Sequence, residues 1–300
     1  MLERGESPLN IRILDINSSP NYVVTNAILE GLQFIRVDIT NSAAIEAAFA
    51  SPWQSDSTQS STVGQDVPAT TVFHTAANLR FFERHQVFLD RSTKVNVLGT
   101  QNVISAARKV GADVMVYTSS GSICLHSLRL LWWPWEKVPK EFVQIVNDDD
   151  NLRPKRHQDF FSNYAVSKFQ GESIVRSSDK LPTGDAAKLT KVLRTGSIRP
   201  NDVFGPRGDT HSCGAWLTKQ HNPSFAKSTI QSFCYVENCA NAHLCYEARL
   251  IELQQAGSTN PDIGGQAFDT GPPPTYGDMH TITESLTDGQ CTHFLTCRPL

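Results

Sequence analysis

The 300-residue chain lacks an excess of positive charge: 27 lysines and arginines stand against 30 aspartates and glutamates, a formal net charge of -3. It offers no basic field to gather a phosphate backbone, and no nucleic-acid partner is expected. A long apolar run is also missing. The greasiest stretch, Leu128 to Trp135, falls far short of the roughly 20 apolar residues that cross a bilayer. The opening Met-Leu-Glu-Arg-Gly-Glu-Ser has neither the basic start nor the apolar run of a secretory signal, so the expectation is a soluble intracellular protein. Cysteine is sparse, and its count of seven is odd, which excludes a regular disulfide framework and favours reduced thiols. Cys234, Cys239, His243 and Cys245 lie close in sequence. Their spacing matches no common zinc pattern, and on a helix only Cys239 and His243 share a face. No metal is expected; the group reads as core thiols on an amphipathic helix.

What is present is an alternation of short β-rich runs and helical stretches, the pattern of βαβ units around a mostly parallel sheet. Strands are expected at Ile11 to Leu14, ending in Asp15, at Gln33 to Val37, ending in Asp38, and at Thr70 to His74. Further strands are expected at Val114 to Tyr117, within Leu189 to Ile198, at Ser232 to Val236 and at Gln266 to Asp269. Helical patterns cover Ser42 to Ala50, about Glu83 to Val110, about Ser162 to Arg176 and about Glu237 to Gln254. Residues 51 to 68 read as a polar loop, and the last twenty residues show no convincing element.

Tyr164 and Lys168 form a Y-x-x-x-K pair whose i, i+4 spacing puts both side chains on one helix face. A phenol titrates near pH 10, and an adjacent ammonium stabilises its phenolate, which suits proton transfer at a carbonyl or alcohol. So short a pair also arises by chance. Its support is placement: Ser119 and Ser120 end a strand at the sheet edge where open α/β proteins bind ligands, about 45 residues earlier. The competing reading of those serines is a turn that caps the next segment.

The segments VFHTAAN, KVNVLGTQNVISAARKVGADVMVYTSSGS, NYAVSKFQGE, VFGPRGD and FCYVENCANAHL occur in that order. Together, over roughly residues 1 to 270, the chain resembles the extended short-chain dehydrogenases of the 3β-hydroxysteroid dehydrogenase and sterol-4α-carboxylate 3-dehydrogenase type. The resemblance implies an α/β, Rossmann-like doubly wound parallel sheet over residues 1–200 and a partial substrate lobe with an irregular tail over 201–300. It implies Ser120, Tyr164 and Lys168 as a catalytic triad, with Ser119 the lesser choice of serine and Asn96 as the helix asparagine behind the lysine. It also implies NAD as cofactor, contacted by Asp15, Asp38, Ile39, Ala76, Ala77, Lys168 and Pro200. A carboxylate at Asp15 would accept the adenosine ribose hydroxyls and repel a 2′-phosphate. The implied reaction is oxidation of a secondary alcohol, the 3β-hydroxyl of a sterol-like small molecule, with the reverse reduction equally allowed. The implied place in the cell is cytoplasmic or peripheral to the endoplasmic reticulum, with Trp132, Trp133 and Trp135 packing in a loop, flooring an apolar site or touching a membrane.

The chain departs from that family in a substrate lobe that looks short between Gly214 and Ser232, in a tail after about Met279 without the family's closing helices and, above all, at its start. A strand and a G-G-x-G-x-x-G turn, whose N–H groups bind the pyrophosphate, should precede everything seen here, and no Gly-x-Gly occurs in the chain. Met1 to Gly5 reads instead as the last turn of the helix that follows such a loop. The missing strand belongs in the middle of the sheet, so two central edges are expected to lack a partner. The expectation is a truncated member. The alternatives are a dihydroflavonol-reductase-like or sugar-nucleotide enzyme, which the tryptophan-bearing insertion argues against, and an inactive relic that binds without catalysis.

Overall fold

The computed structural model describes residues 1–17, 22–53, 69–127, 133–137, 144, 148–184, 191–206, 209, 213–219, 221–224, 228, 230–255, 258–269, 275–287 and 293–296. Most of the expected loop at 51–68, together with Trp132, Arg207 and Gly208, lies outside the described residues.

Strands β1 (Arg12–Asp15) and β2 (Gln33–Arg36) pair in parallel, joined by α1 (Tyr22–Leu29), a helix with no counterpart among the expected elements. After α2 (Ser42–Ala50), strand β3 (Thr71–His74) leads through α3 (Leu89–Thr93) and α4 (Thr100–Lys109) to β4 (Val114–Thr118). Then come α5 (Asn163–Ser177), β5 (Leu181–Pro182) and β6 (Val192–Arg199), and later α7 (Val236–Glu252) and β10 (Ala267–Asp269). Strands β10, β6, β4 and β3 run parallel in that order, and β5 adds an antiparallel flap to β6. Val114, Met115, Val116 and Tyr117 of β4 are fully buried, as a central parallel strand covered on both faces requires. One face carries α2, α4 and α5 over Ile45, Val103, Ile104, Met115 and Tyr117; the other carries α7, with Tyr246 and Leu250 against Val116 and Ile198. This is a Rossmann-like α/β arrangement.

The sheet divides. Among the described residues β1 pairs only with β2, and β3 only with β4, so each has an edge without a ladder. What joins the β1–β2 ribbon to the rest is side-chain packing. Leu14, Ile35 and Ile39 enter the α4 core, Lys109 Nζ lies 2.6 Å from Glu46 Oε1, and Asn102 Nδ2 donates to Ile39 O at 2.9 Å. Leu2–Arg4 forms a single 3₁₀ turn closed by Gly5 at φ 84°, the left-handed stop expected there.

Two expectations need correction. The long helix does not start at Glu83, because Glu83 is committed elsewhere: its carbonyl accepts Asn163 N at 2.8 Å and its carboxylate meets Arg80 and Arg91. A 3₁₀ turn at Gln86–Phe88 precedes α3, and a π-helical turn at Lys94–Gly99 separates α3 from α4. The tail, read as irregular, contains α8 (Tyr276–Leu286) and β11 (His293–Thr296), which pairs with β8 (His221–Ser224). Helix α8 opens on a capping box, Thr275 with Asp278, and buries Met279, His280 and Thr283; that largely polar inward face leaves no apolar period to read. Alongside lie the short strands β7 (Val203–Phe204) and β9 (Cys234–Tyr235) and helix α6 (Cys213–Lys219). Their aromatic cluster joins Trp216, Phe233, Tyr276 and His280, with ring centroids 4.7 Å apart for Trp216 and His280.

Candidate active site

The polar run after β4 is tied to β6 by main-chain bonds, Ser119 N to Ile198 O at 2.7 Å and Gly121 N to Pro200 O at 3.0 Å. Ser120 caps the 3₁₀ turn Gly121–Cys124 through Ser122 N at 3.3 Å, and its hydroxyl lies 2.9 Å from that of Ser122. The turn-capping reading of this serine is therefore correct, and it does not compete with a chemical role, because the same hydroxyl faces α5. Ser162 caps α5 through Ala165 N at 3.3 Å, fixing the first turn that carries Tyr164. The Phe81 ring packs edge-on against Tyr164 at 4.7 Å.

Tyr164 and Lys168 are buried, at 5% and 1% exposure, on the face of α5 turned to β4. Burial pushes the Tyr164 phenol up to about 12, and a hydrogen bond with Ser120 works against that rise. Burial lowers Lys168 to about 7, with the Glu172 carboxylate opposing. Its ammonium donates to Thr118 O at 2.5 Å and sits 4.1 Å above the Tyr117 ring. Lys168 is thus turned toward the end of β4, and burial outweighs the expected lowering of the phenol.

Asn96 stands in the π-helical turn, a distortion common at functional sites. Its side chain accepts Asn78 N at 2.7 Å, donates to Asn78 O at 3.1 Å and donates to Ser167 Oγ at 2.9 Å, clamping the loop after β3 onto α5. A side chain at Gly171 would strike Asn96 O at 2.5 Å and Tyr117 Oη at 2.7 Å, so only glycine lets α5 approach so closely. His74, read as a packed strand-end residue, is one: Thr100 Oγ1 donates to Asn96 O at 2.8 Å, which leaves its lone pair for His74 Nε2–H at 2.9 Å. Burial, then the charge of Lys168, lowers His74 to about 3, so the ring is neutral.

The expected cofactor residues are spread along the same sheet edge. Asp15 is exposed at the end of β1, and among the described residues only its Oδ1 is engaged, by Asn17 N at 2.8 Å and Asn17 Nδ2 at 3.1 Å. Asp38 is exposed and closes an Asx turn on Thr40 N at 2.8 Å. Ile39 points its side chain into the core against Gly99, so only its backbone is placed at the edge. Ala76 is exposed, Ala77 half-buried and Pro200 buried. The cysteine group is divided: Cys234 and Cys239 are buried and Cys245 is exposed. His243 Nδ1–H donates to Cys239 O at 2.7 Å, which leaves Nε2 to accept from the Thr118 hydroxyl at 2.8 Å. That contact of α7 with the end of β4 had no signal in the sequence. Of Glu172 and Arg199, fully buried beside the site, only Glu172 had one: it continues the four-residue step from Tyr164 to Lys168.

With this geometry in view, a match to the 3-beta hydroxysteroid dehydrogenase/isomerase family covers residues 1–283. The chain belongs to this family. It is 30% identical over 206 residues to the 3beta-hydroxysteroid-dehydrogenase/decarboxylase isoform 2 of Arabidopsis thaliana, a match that covers 67% of this chain and 30% of that protein. Identity to the decarboxylating sterol-4-alpha-carboxylate 3-dehydrogenase of Candida albicans is 27%, over 61% of this chain and 45% of the relative. For the human short-chain dehydrogenase/reductase family 42E member 1 it is 25%, over 80% and 52%. The chain thus spans between 30% and 52% of the length of these family relatives. In solved structures the fold is shared with the UDP-glucose 4-epimerase of Thermotoga maritima in complex with UDP-glucose, at a TM-score of 0.61 and 15% identity, over 100% of this chain and 80% of that one. It is shared equally with the Thermus thermophilus UDP-glucose 4-epimerase in complex with NAD, at 0.59 and 19%, over 99% and 80%.

Proposed function

We propose that this family member carries the catalytic centre of an NAD-dependent dehydrogenase that oxidises the 3β-hydroxyl of a sterol-like substrate to a ketone. The observation that carries the reading is that Ser120 hydrogen-bonds Tyr164, and Lys168 on the same face of α5 reaches Thr118 O at the carboxyl edge of β4, with Asn96 buried nearby. NAD supplies the hydride acceptor when bound. The residues fit its two ends: Lys168 would hold the nicotinamide ribose, and Asp15, whose second carboxylate oxygen has no hydrogen bond among the described residues, would hold the adenosine ribose. Between those ends the sequence provides no glycine-rich turn for the pyrophosphate.

Ser120 holds the substrate oxygen and Tyr164 takes its proton as the C–H bond gives up hydride. A phenol near 12 keeps its proton at neutral pH, so oxidation relies on the Lys168 charge and the Ser120 hydrogen bond to stabilise the phenolate. In the reverse direction Tyr164 donates its proton directly. Within residues 201–300, where α7 and β10 belong to the central sheet layer, α6, β7, β9 and α8 would form the substrate lobe, with Trp216, Phe233 and Tyr276 as its apolar wall. The test is NADH formation from 3β-hydroxysterols by the chain alone and by the chain fused behind a strand, glycine turn and helix. No turnover by a folded fusion would sink the reading.

A lipid surface is the proposed setting. Trp133 and Trp135 stack at 5.2 Å and are 60% and 77% exposed, the amphipathic rings that settle at membrane interfaces. Among the described residues no helix is long and apolar enough to cross a membrane. Co-sedimentation with phosphatidylcholine vesicles should fall several-fold in Trp133→Ala/Trp135→Ala, and equal binding would exclude this contact. A protein that binds without catalysis is the second reading, favoured by the divided sheet.

A further inference from the structure

Helix α5 displays Tyr164, Lys168, Glu172 and Arg176 at successive four-residue steps. Just beyond the lysine, the side chains of Glu172 and Arg199 are both at 0% exposure. Arg199, the last residue of β6, grips the carboxylate with two bonds, Nε to Oε2 at 3.0 Å and Nη2 to Oε1 at 2.6 Å. Its Nη2 also donates to Asp150 Oδ1 at 2.9 Å, and Nη1 is buried with no hydrogen-bond partner among the described residues. Arg176 Nη1 lies 2.6 Å from Asp150 Oδ2 and 3.5 Å from Glu172 Oε1. Arg153 lies 3.2 Å from Asp150 and 3.7 Å from Glu172.

Dehydrating so many charges is costly, and replacing a buried ion pair by apolar groups is often neutral or stabilising. Stability alone therefore does not explain why this pair sits one helical turn from a buried ammonium. We propose that Glu172, fixed by the two-bond grip of Arg199, is a positioning residue whose carboxylate, one helical turn away, favours the charged form of Lys168. The inference rests on the reading of Lys168 as the catalytic lysine.

The other groups around Lys168 do not supply that charge. On α5 there is the neutral Tyr164 phenol; on β4 the Tyr117 ring and the Thr118 carbonyl; on β3 the neutral His74. Helix α7 reaches the site through His243, which accepts from Thr118, and the turn after β4 brings Cys124 near Arg199. The arginines of β6 and of the segment before α5 carry the wrong sign, and Asp150 lies behind them. Among the described residues Glu172 is the acidic group one helical turn from Lys168, and its charge opposes the effect of burial there. Arg199, Arg176 and Arg153 in turn surround that fully buried carboxylate with positive charge.

The experiment is an NMR titration of the Lys168 side chain in the 300-residue protein with ¹³C,¹⁵N-labelled lysine, assigned with a Lys168→Arg variant. Glu172→Gln, which keeps the shape and removes the charge, should lower the Lys168 pKa by about one unit, a tenfold change in its charged-to-neutral ratio. Glu172→Asp, which keeps the charge and disturbs the two-bond grip, should restore the wild-type titration. A purely structural role predicts that both variants perturb Lys168 alike, and that result overturns the proposal, as does an unchanged titration in Glu172→Gln. If Glu172→Gln does not fold, Glu172→Gln/Arg199→Met leaves no unpaired charge and should still lower the pKa, though by less; no change there also overturns it. The readout needs no hydride transfer, so failure of the dehydrogenase reading would show separately, as normal turnover in Tyr164→Phe.

Discussion

The half of the sheet built from β3, β4 and β6 and the ribbon built from β1 and β2 end at the same edge but are held in different ways. In the first, every strand has a ladder partner, and the candidate chemical groups are dry, hydrogen-bonded and backed by α5. In the second, two strands pair only with each other, and Asp15 and Asp38 stand in solvent on Asx turns. The ribbon is attached by α2 packing on α4 rather than by backbone bonds to β3. A dehydrogenase needs both regions at a fixed distance, since groups that handle the proton are useless unless the hydride acceptor is aligned with them. The comparison teaches that, among the described residues, the proposed proton-handling groups stand on laddered strands while the proposed nucleotide-holding groups stand on a ribbon joined to them by side-chain packing.

The largest expected effect breaks the first region alone. In a fusion that supplies the glycine turn, Tyr164→Phe should lower turnover at least about a hundredfold with KM for NAD little changed, measured by NADH formation. Near-normal turnover would remove Tyr164 from the mechanism. A smaller effect tests the ribbon: the fusion should prefer NAD to NADP, and Asp15→Ala should narrow that preference by roughly tenfold, the worth of one charged contact. A wild-type preference for NADP would refute the role given to Asp15.

The smallest effect concerns the seam between catalysis and stability. His74 is lowered in the folded state from 6.5 to about 3, so between those values the unfolded chain binds a proton that the folded chain does not. Stability is then lost as pH falls from about 6.5 toward 3, and His74→Gln should flatten the melting temperature against pH over that window by a few degrees. Equal slopes in both proteins would mean that another group titrates there.

How much of this was legible in the sequence follows from what each element shows to solvent. Strand β4 was readable because a strand covered on both faces must be continuously apolar, and α2 matched to the residue because Asn41 caps it and Ile45 and Ala48 face inward. The face of α5 that carries Tyr164 and Lys168 was readable from a four-residue step. The π-helical turn was not: it depends on Asn96 clamping Asn78 and on Thr100 holding Asn96 O, contacts set by tertiary packing. Helix α8 was missed because its buried side is largely polar, although Thr275 and Asp278 spelled its cap. The Arg199–Glu172 pair was hidden because two charged residues 27 positions apart give no pattern until the fold joins them.

The central claim, a proposed proton-handling site beside a proposed nucleotide-holding ribbon that shares no strand ladder with it among the described residues, is tested most directly by calorimetric titration of the 300-residue protein with NAD. The account predicts no saturable heat in the micromolar range and little or no oxidation of a 3β-hydroxysterol in the same sample, although Ser120, Tyr164 and Lys168 are in place. Micromolar binding together with measurable oxidation would contradict it, and would show that the seam between β1 and β3 holds the dinucleotide without a glycine-rich turn.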